Sequence, residues 1–149
     1  MKSDCEKCLD QWKDAVFRER QQQYGEKIAK AYLQQLRGYE EATAILKNRY
    51  VFALLAKAVE TERFEQSFRD MEKKTNTIRR EIFQALRSIE NQRSMTVLWM
   101  FYIEGKQLDE ISEQLCLPEW KVEMLRHDGL RKLPVPQEYV NIYMRRHSL

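Results

Sequence analysis

The sharpest hydrophobic pattern lies in the last third of the chain. An apolar run from Val97 to Ile103 stops at Glu104-Gly105, where glycine supplies the backbone freedom that a reversal needs. Leu108, Ile111 and Leu115 then recur on one helical face, with Asp109, Glu110, Glu113 and Gln114 on the solvent side. Cys116-Leu117-Pro118 breaks the period, and proline suits the first turn of a new helix because its missing N–H has no partner there anyway. That third helix begins at Glu119. Its inward arc is Val122, Leu125, Gly129 and Leu133, which leaves Trp120, Met124, His127 and Arg131 pointing outward, with Lys121 beside them. The pattern predicts three short helices around a shared core of Leu108, Ile111, Leu115, Val122, Leu125 and Leu130.

Upstream the periods are longer. Trp12, Val16, Tyr24, Ile28, Tyr32 and Leu36 mark a first long helix, weakened near Gln23 and closed by Gly38 as a C-terminal cap, with Ser3 or Asp4 as its N-cap. From Tyr39 to Glu104 there is neither Gly nor Pro, so few stops are enforced. Ala42, Ile45, Arg49, Phe52, Leu55 and Val59 describe one face, and the polar interval from Glu60 to Arg63 is a place to turn. Phe64, Phe68, Met71, Thr75, Ile78, Ile82, Ala85 and Ile89 then alternate spacings of four and three, the heptad of a helix–helix seam. Its partner is either the preceding helix, in an antiparallel pair, or a second copy in a homodimer. Lys73, Lys74, Arg79, Arg80 and Arg87 run opposite, as a solvated face in preference to a phosphate-contacting one. After Pro134-Val135-Pro136 a last amphipathic piece, with Tyr139, Ile142 and Tyr143 or Met144 against the body, leaves Arg145, Arg146 and His147 at a basic tip.

Composition narrows the class to all-α. The chain has 149 residues with only four Gly and three Pro, 43% hydrophobic and 33% charged, which leaves little room for sheet. The expected organisation is long N-terminal helices in a hairpin or coiled-coil-like scaffold over 1–93, the three-helix module over 94–133 and an amphipathic tail over 134–149. Net charge is +3, too mild to imply nucleic acid by itself. Its distribution says more. Ser94–Leu133 holds five Lys/Arg against seven Asp/Glu, a net of −2, whereas Met1–Arg93 holds nineteen against fifteen, a net of +4. No apolar run approaches the roughly 20 residues of a membrane span. Three cysteines without a signal peptide fit a reducing cytoplasm, and no membrane association is expected.

At Tyr102-Ile103-Glu104-Gly105, Glu110-Ile111-Ser112 with Leu115, Val122, and Gly129-Leu130 with Leu133, the sequence resembles the C-terminal DNA-binding module (region 4) of bacterial sigma factors. The variant it is most similar to is that of small phage late-gene activators of the ArpU/RinA type, whose N-terminal half Ala31-Tyr32-Leu33 to Arg37 also resembles. The resemblance implies a helix-turn-helix working in a bacterial host cell, with double-stranded DNA as partner and RNA polymerase as a further one. Three positions depart from the family's pattern. Cys116 stands where the turn usually has Gly, Pro118 where the third helix usually has a capping Ser or Thr, and Ser112 replaces a small Ala. Loss of the hydroxyl cap removes a contact worth about 1 kcal/mol.

Two functions compete on these residues. In the first, the chain is a DNA-binding transcriptional regulator whose third helix reads DNA through Trp120, Lys121, Met124, His127 and Arg131. In the second, the acidic module engages a protein such as RNA polymerase, a repressor or a host-defence factor, and Trp120 and Met124 are the kind of residues enriched at such interfaces. An enzyme is not expected. There is no P-loop, no HExxH and no nucleophile beside a usable His, and only two His in all. Cys5-Glu6-Lys7-Cys8 invites a zinc or redox reading, but Cys116, His127 and His147 show no second spaced pair, so no metal or cofactor is expected.

Overall fold

The computed structural model describes residues 3–57 and 59–147, and the side chains of these apart from 17–23. Among them the chain is all helical, with no strand. Helix α1 runs unbroken from Asp4 to Leu55, about 78 Å at 1.5 Å per residue. Ser3 caps it in a reciprocal box: its hydroxyl accepts from the Glu6 N–H at 3.3 Å, and its own N–H donates to the Glu6 carboxylate at 2.9 Å. The backbone passes through Gln23 and Gly38 without a break, contrary to the sequence expectation. A glycine inside a helix costs only about 1 kcal/mol and keeps its N–H, so packing along the rest of the helix overrides it.

The chain reverses at Ala56–Glu60, just ahead of the polar interval that marked a turn, with Lys57 at φ 52°. Helix α2, Thr61–Arg87, returns antiparallel to α1. Its heptad is the seam: Thr75, Ile82, Ala85 and Ile89 are buried, Tyr50 stacks on Phe68 at 6.2 Å, and the Thr43 and Thr75 hydroxyls lie 2.7 Å apart. The seam is therefore filled from within the chain. On α1 it is met by Tyr39, Thr43, Leu46, Tyr50 and Ala53, which continue the spacing of Tyr32 and Leu36 straight past Gly38. The face expected from Ala42, Ile45, Arg49, Phe52, Leu55 and Val59 consequently points away, and Phe52 and Leu55 are 74% and 79% exposed. Lys73, Lys74, Arg80 and Arg87 are exposed, and Arg79 pairs with Glu40 at 3.1 Å.

Helix α3, Gln92–Leu98, starts five residues earlier than the apolar run, because the Asn91 side chain accepts from the N–H groups of Arg93 and Ser94. It passes into a π turn over Trp99–Ile103. The stop follows at Gly105, φ 69°, where a Cβ would collide with the Arg37 guanidinium. Helices α4 (Leu108–Leu115), α5 (Glu119–Lys132) and α6 (Gln137–Arg146) complete the chain.

Two cores result. Val97, Met100, Ile111, Val122 and Leu125 form the smaller one, edged by half-buried Leu108 and Leu115. Leu130 does not join it. It sits with Leu133 and Leu98 in the larger core against Tyr32, Leu33, Ile82 and Leu86, because α5 lies between the short helices and α1. Gly129 makes that approach possible: a Cβ there would come within 2.8 Å of Leu98 Cδ1. The tail docks chiefly through Tyr139, 5.3 Å from the Tyr32 ring, while Ile142, Met144, Arg145 and Arg146 stay exposed.

Candidate nucleic-acid interface

The turn between α4 and α5 is closed by Ser112, Cys116 and Pro118. Cys116 takes the left-handed conformation at φ 53°, ψ 40°, the geometry a glycine adopts without strain. Its N–H donates to the Glu113 carbonyl at 3.3 Å, and the Leu117 N–H to the Ser112 carbonyl at 3.1 Å. The Ser112 hydroxyl donates in turn to the Leu117 carbonyl at 2.5 Å, so the added oxygen ties the turn down. Pro118 is the N-cap of α5 and offers no side-chain bond, but its carbonyl accepts from Lys121 and Val122 at 2.9 and 3.2 Å. Glu119 in the first turn complements the helix dipole.

The outward face of α5 divides into two parts. At its N-terminal half Trp120 and Met124 are 64% and 55% exposed, and half-buried Lys121 enters no ion pair among the described residues. Farther along, His127 and Arg131 are engaged by α1. The Arg131 Nε donates to Glu26 Oε1 at 2.7 Å, His127 Nδ1 lies 2.8 Å from Glu26 Oε2, and His127 Nε2 lies 3.6 Å from Glu123. Burial works against the Glu26 charge, yet the hydrogen bonds from Arg131 and His127 outweigh it and hold the carboxyl below its ordinary value. Sequence reading missed Glu26. It lies 105 residues from Arg131, and no local spacing connects the two.

The other cations of α5 are also paired. Arg126 meets Glu123 at 2.6 Å and lies over the Phe101 ring, 5.0 Å from its centroid. Lys132 meets Asp128 at 3.1 Å. The hydrogen bond from Lys132, followed by that from buried Ser94 at 2.9 Å, keeps the Asp128 carboxyl below its ordinary value. Among the described residues, three of the four Lys and Arg residues on α5 thus neutralise the chain's own carboxylates, and Lys121 is the exception.

Cys5, Cys8 and Cys116 are exposed thiols, and no group of three or more His, Cys, Asp or Glu among the described residues is placed to hold a metal. Among the same residues no helix is long and apolar enough to cross a membrane. Comparison with protein-family models, with curated proteins and with solved structures finds no match to this chain.

Proposed function

We propose that this chain is a DNA-binding transcriptional regulator of the small phage type, in which α4, the Cys116 turn and α5 act as a helix-turn-helix of the sigma region 4 kind. The observation that carries this reading is the unpacked front of α5. Trp120 and Met124 project from a helix whose opposite side is fixed by Val122 and Leu125, and Lys121 stands beside them with no ion pair among the described residues. In helix-turn-helix proteins the N-terminal residues of the second helix meet base edges in the major groove. Trp120 and Met124 would contact thymine methyls or sugar edges, Lys121 a phosphate, and Glu123 has the chemistry to accept from a cytosine amino group. His127 and Arg131 take a secondary part, since phosphate has to displace Glu26 to reach them.

A second reading is favoured by the paired cations. A module that spends its Arg and Lys on its own carboxylates leaves little charge for phosphate neutralisation, the source of much DNA affinity. An exposed Trp–Met pair then serves as the anchor for a protein partner, such as RNA polymerase, a repressor or a host-defence factor.

Mobility-shift titrations across a salt series, against DNA from upstream of the chain's own gene, test the proposal. Site preference with a steep fall of affinity in salt is the expected result. Absence of a shift at low salt overturns it in favour of the protein partner.

A further inference from the structure

The distal half of α1 is apolar on two opposite sides. Thr43, Leu46, Tyr50 and Ala53 meet α2, while Ile45, Phe52 and Leu55 line the far side with Asn48 among them. Ile45 is 53% exposed, and Val59 in the following turn is fully exposed. The α2 seam is already filled by α1, so no described element covers this outer stripe. With Val51 and Leu54 at its edges the patch is on the order of 500 Å² per copy, at the upper end for a monomer; two such patches reach roughly the 1,000 Å² of a specific interface.

We infer that a second copy of the chain covers this stripe, through a parallel, in-register seam between the two α1 helices. Ile45, Asn48, Phe52 and Leu55 are spaced three, four and three apart, alternating between the two core positions of a heptad, a pattern that calls for a partner helix of the same period. The flanking positions Ala42, Ala44, Val51 and Ala56 are small or apolar, so the two backbones approach closely. Asn48 and Arg49 select the direction. In a parallel register the two Asn48 amides meet and hydrogen-bond each other, as a buried amide requires, and Arg49 lies against Ala44 of the other copy. The antiparallel register sets each Asn48 against a Phe52 ring and brings the two Arg49 guanidinium groups together. A single amide in an apolar seam is also a known device for fixing register. The parallel arrangement leaves both α5 helices at one end of the dimer, and it stands independently of whether they read DNA.

Sedimentation of the full chain tests this. The parent is expected at twice its 18.1 kDa mass at micromolar concentrations, and Phe52→Glu/Leu55→Glu at the monomer mass with unchanged helicity, since neither side chain belongs to a core. A monomeric parent at 100 μM, or a double variant that remains dimeric, overturns the proposal. Direction is read by oxidising Leu55→Cys in a background of Cys5→Ser, Cys8→Ser and Cys116→Ser. A disulfide-linked dimer supports the parallel seam. Cross-linking of a Leu55→Cys protein only to an Ile45→Cys protein would show the antiparallel one and overturn the register.

Discussion

Arg131 on α5 donates its Nε to Glu26 on α1 at 2.7 Å, and His127, one turn away, holds the other carboxylate oxygen at 2.8 Å. One carboxylate thereby neutralises the far half of the outward face of α5 proposed to meet DNA, and it pins α5 to α1. The same bond acts on stability and on charge.

Glu26→Gln separates the two effects. Its partners are half exposed, so the loss of stability is expected to be only about 1 kcal/mol. If Glu26 competes with phosphate, the variant binds DNA more tightly, and its salt slope steepens by nearly one unit as Arg131 is released. The pH dependence has a definite sign. The folded-state carboxyl is held below its ordinary value, so its stabilisation is present above that ordinary value and is lost as pH falls through the folded one. Melting temperatures of parent and variant should therefore differ at pH 7 and converge on acidification. A gap that widens below pH 4 would contradict the assignment.

Two glycines should respond in opposite directions to alanine. A Cβ at Gly38 meets nothing within 4 Å, inside an unbroken helix, so Gly38→Ala is expected to stabilise by about 0.5–1 kcal/mol. At Gly129 the added carbon meets Leu98 Cδ1 at 2.8 Å and the Ser94 carbonyl at 3.3 Å, so Gly129→Ala is expected to destabilise by about 1–3 kcal/mol through overpacking. Urea denaturation of both variants checks this, and stabilisation by Gly129→Ala would mean that α5 and α3 are not in close contact.

The tight turn gives a third expectation. Cys116 is a non-glycine residue at φ 53°, and the left-handed conformation costs an ordinary residue about 1–2 kcal/mol. Part of that is recovered by Cys116→Gly, which should raise the melting temperature by a few degrees, whereas the β-branched Cys116→Val should lower it. If both variants melt alike, the turn relaxes in solution and the strain is not there.

The limits of the sequence follow from what each signal contains. The boundaries of α4 and α5 were legible because Gly105, Pro118 and the three-to-four spacing of Leu108, Ile111, Leu115 and Val122 are local features, and the α2 heptad was legible for the same reason. Gly38 misled because propensity is a weak local preference and α2 packs along the whole of the distal α1. With Gly38 read as a stop, the apparent face of the following segment starts three residues late, at Ala42 instead of Tyr39, and follows the outer stripe. Leu130 was assigned to the wrong core since helical periodicity says that a residue is inward without saying which neighbour it faces. Glu26 is the furthest case, because pairing across 105 residues leaves no trace in spacing.

The sharpest separation of the two functions uses Trp120 and Lys121, because neither bonds to α1 among the described residues. Reversing Arg131 instead would set a carboxylate against Glu26, destabilise the α1 contact and confuse folding with binding. Lys121→Glu removes the one cation of α5 that enters no ion pair among the described residues, so a DNA reader should lose affinity broadly across sequences, and its log–log salt slope should flatten by nearly one unit. Trp120→Ala should lower affinity in a site-dependent way, by roughly 1–3 kcal/mol if the ring meets base edges. A protein interface inverts the order. There Trp120→Ala, by removing an exposed aromatic anchor, costs about 2 kcal/mol or more of partner affinity, while Lys121→Glu changes mainly the association rate. Both side chains lie outside the cores, so the melting curves of both variants should match the parent. Unchanged DNA affinity in Lys121→Glu and Trp120→Ala together would rule out α5 as the reading helix.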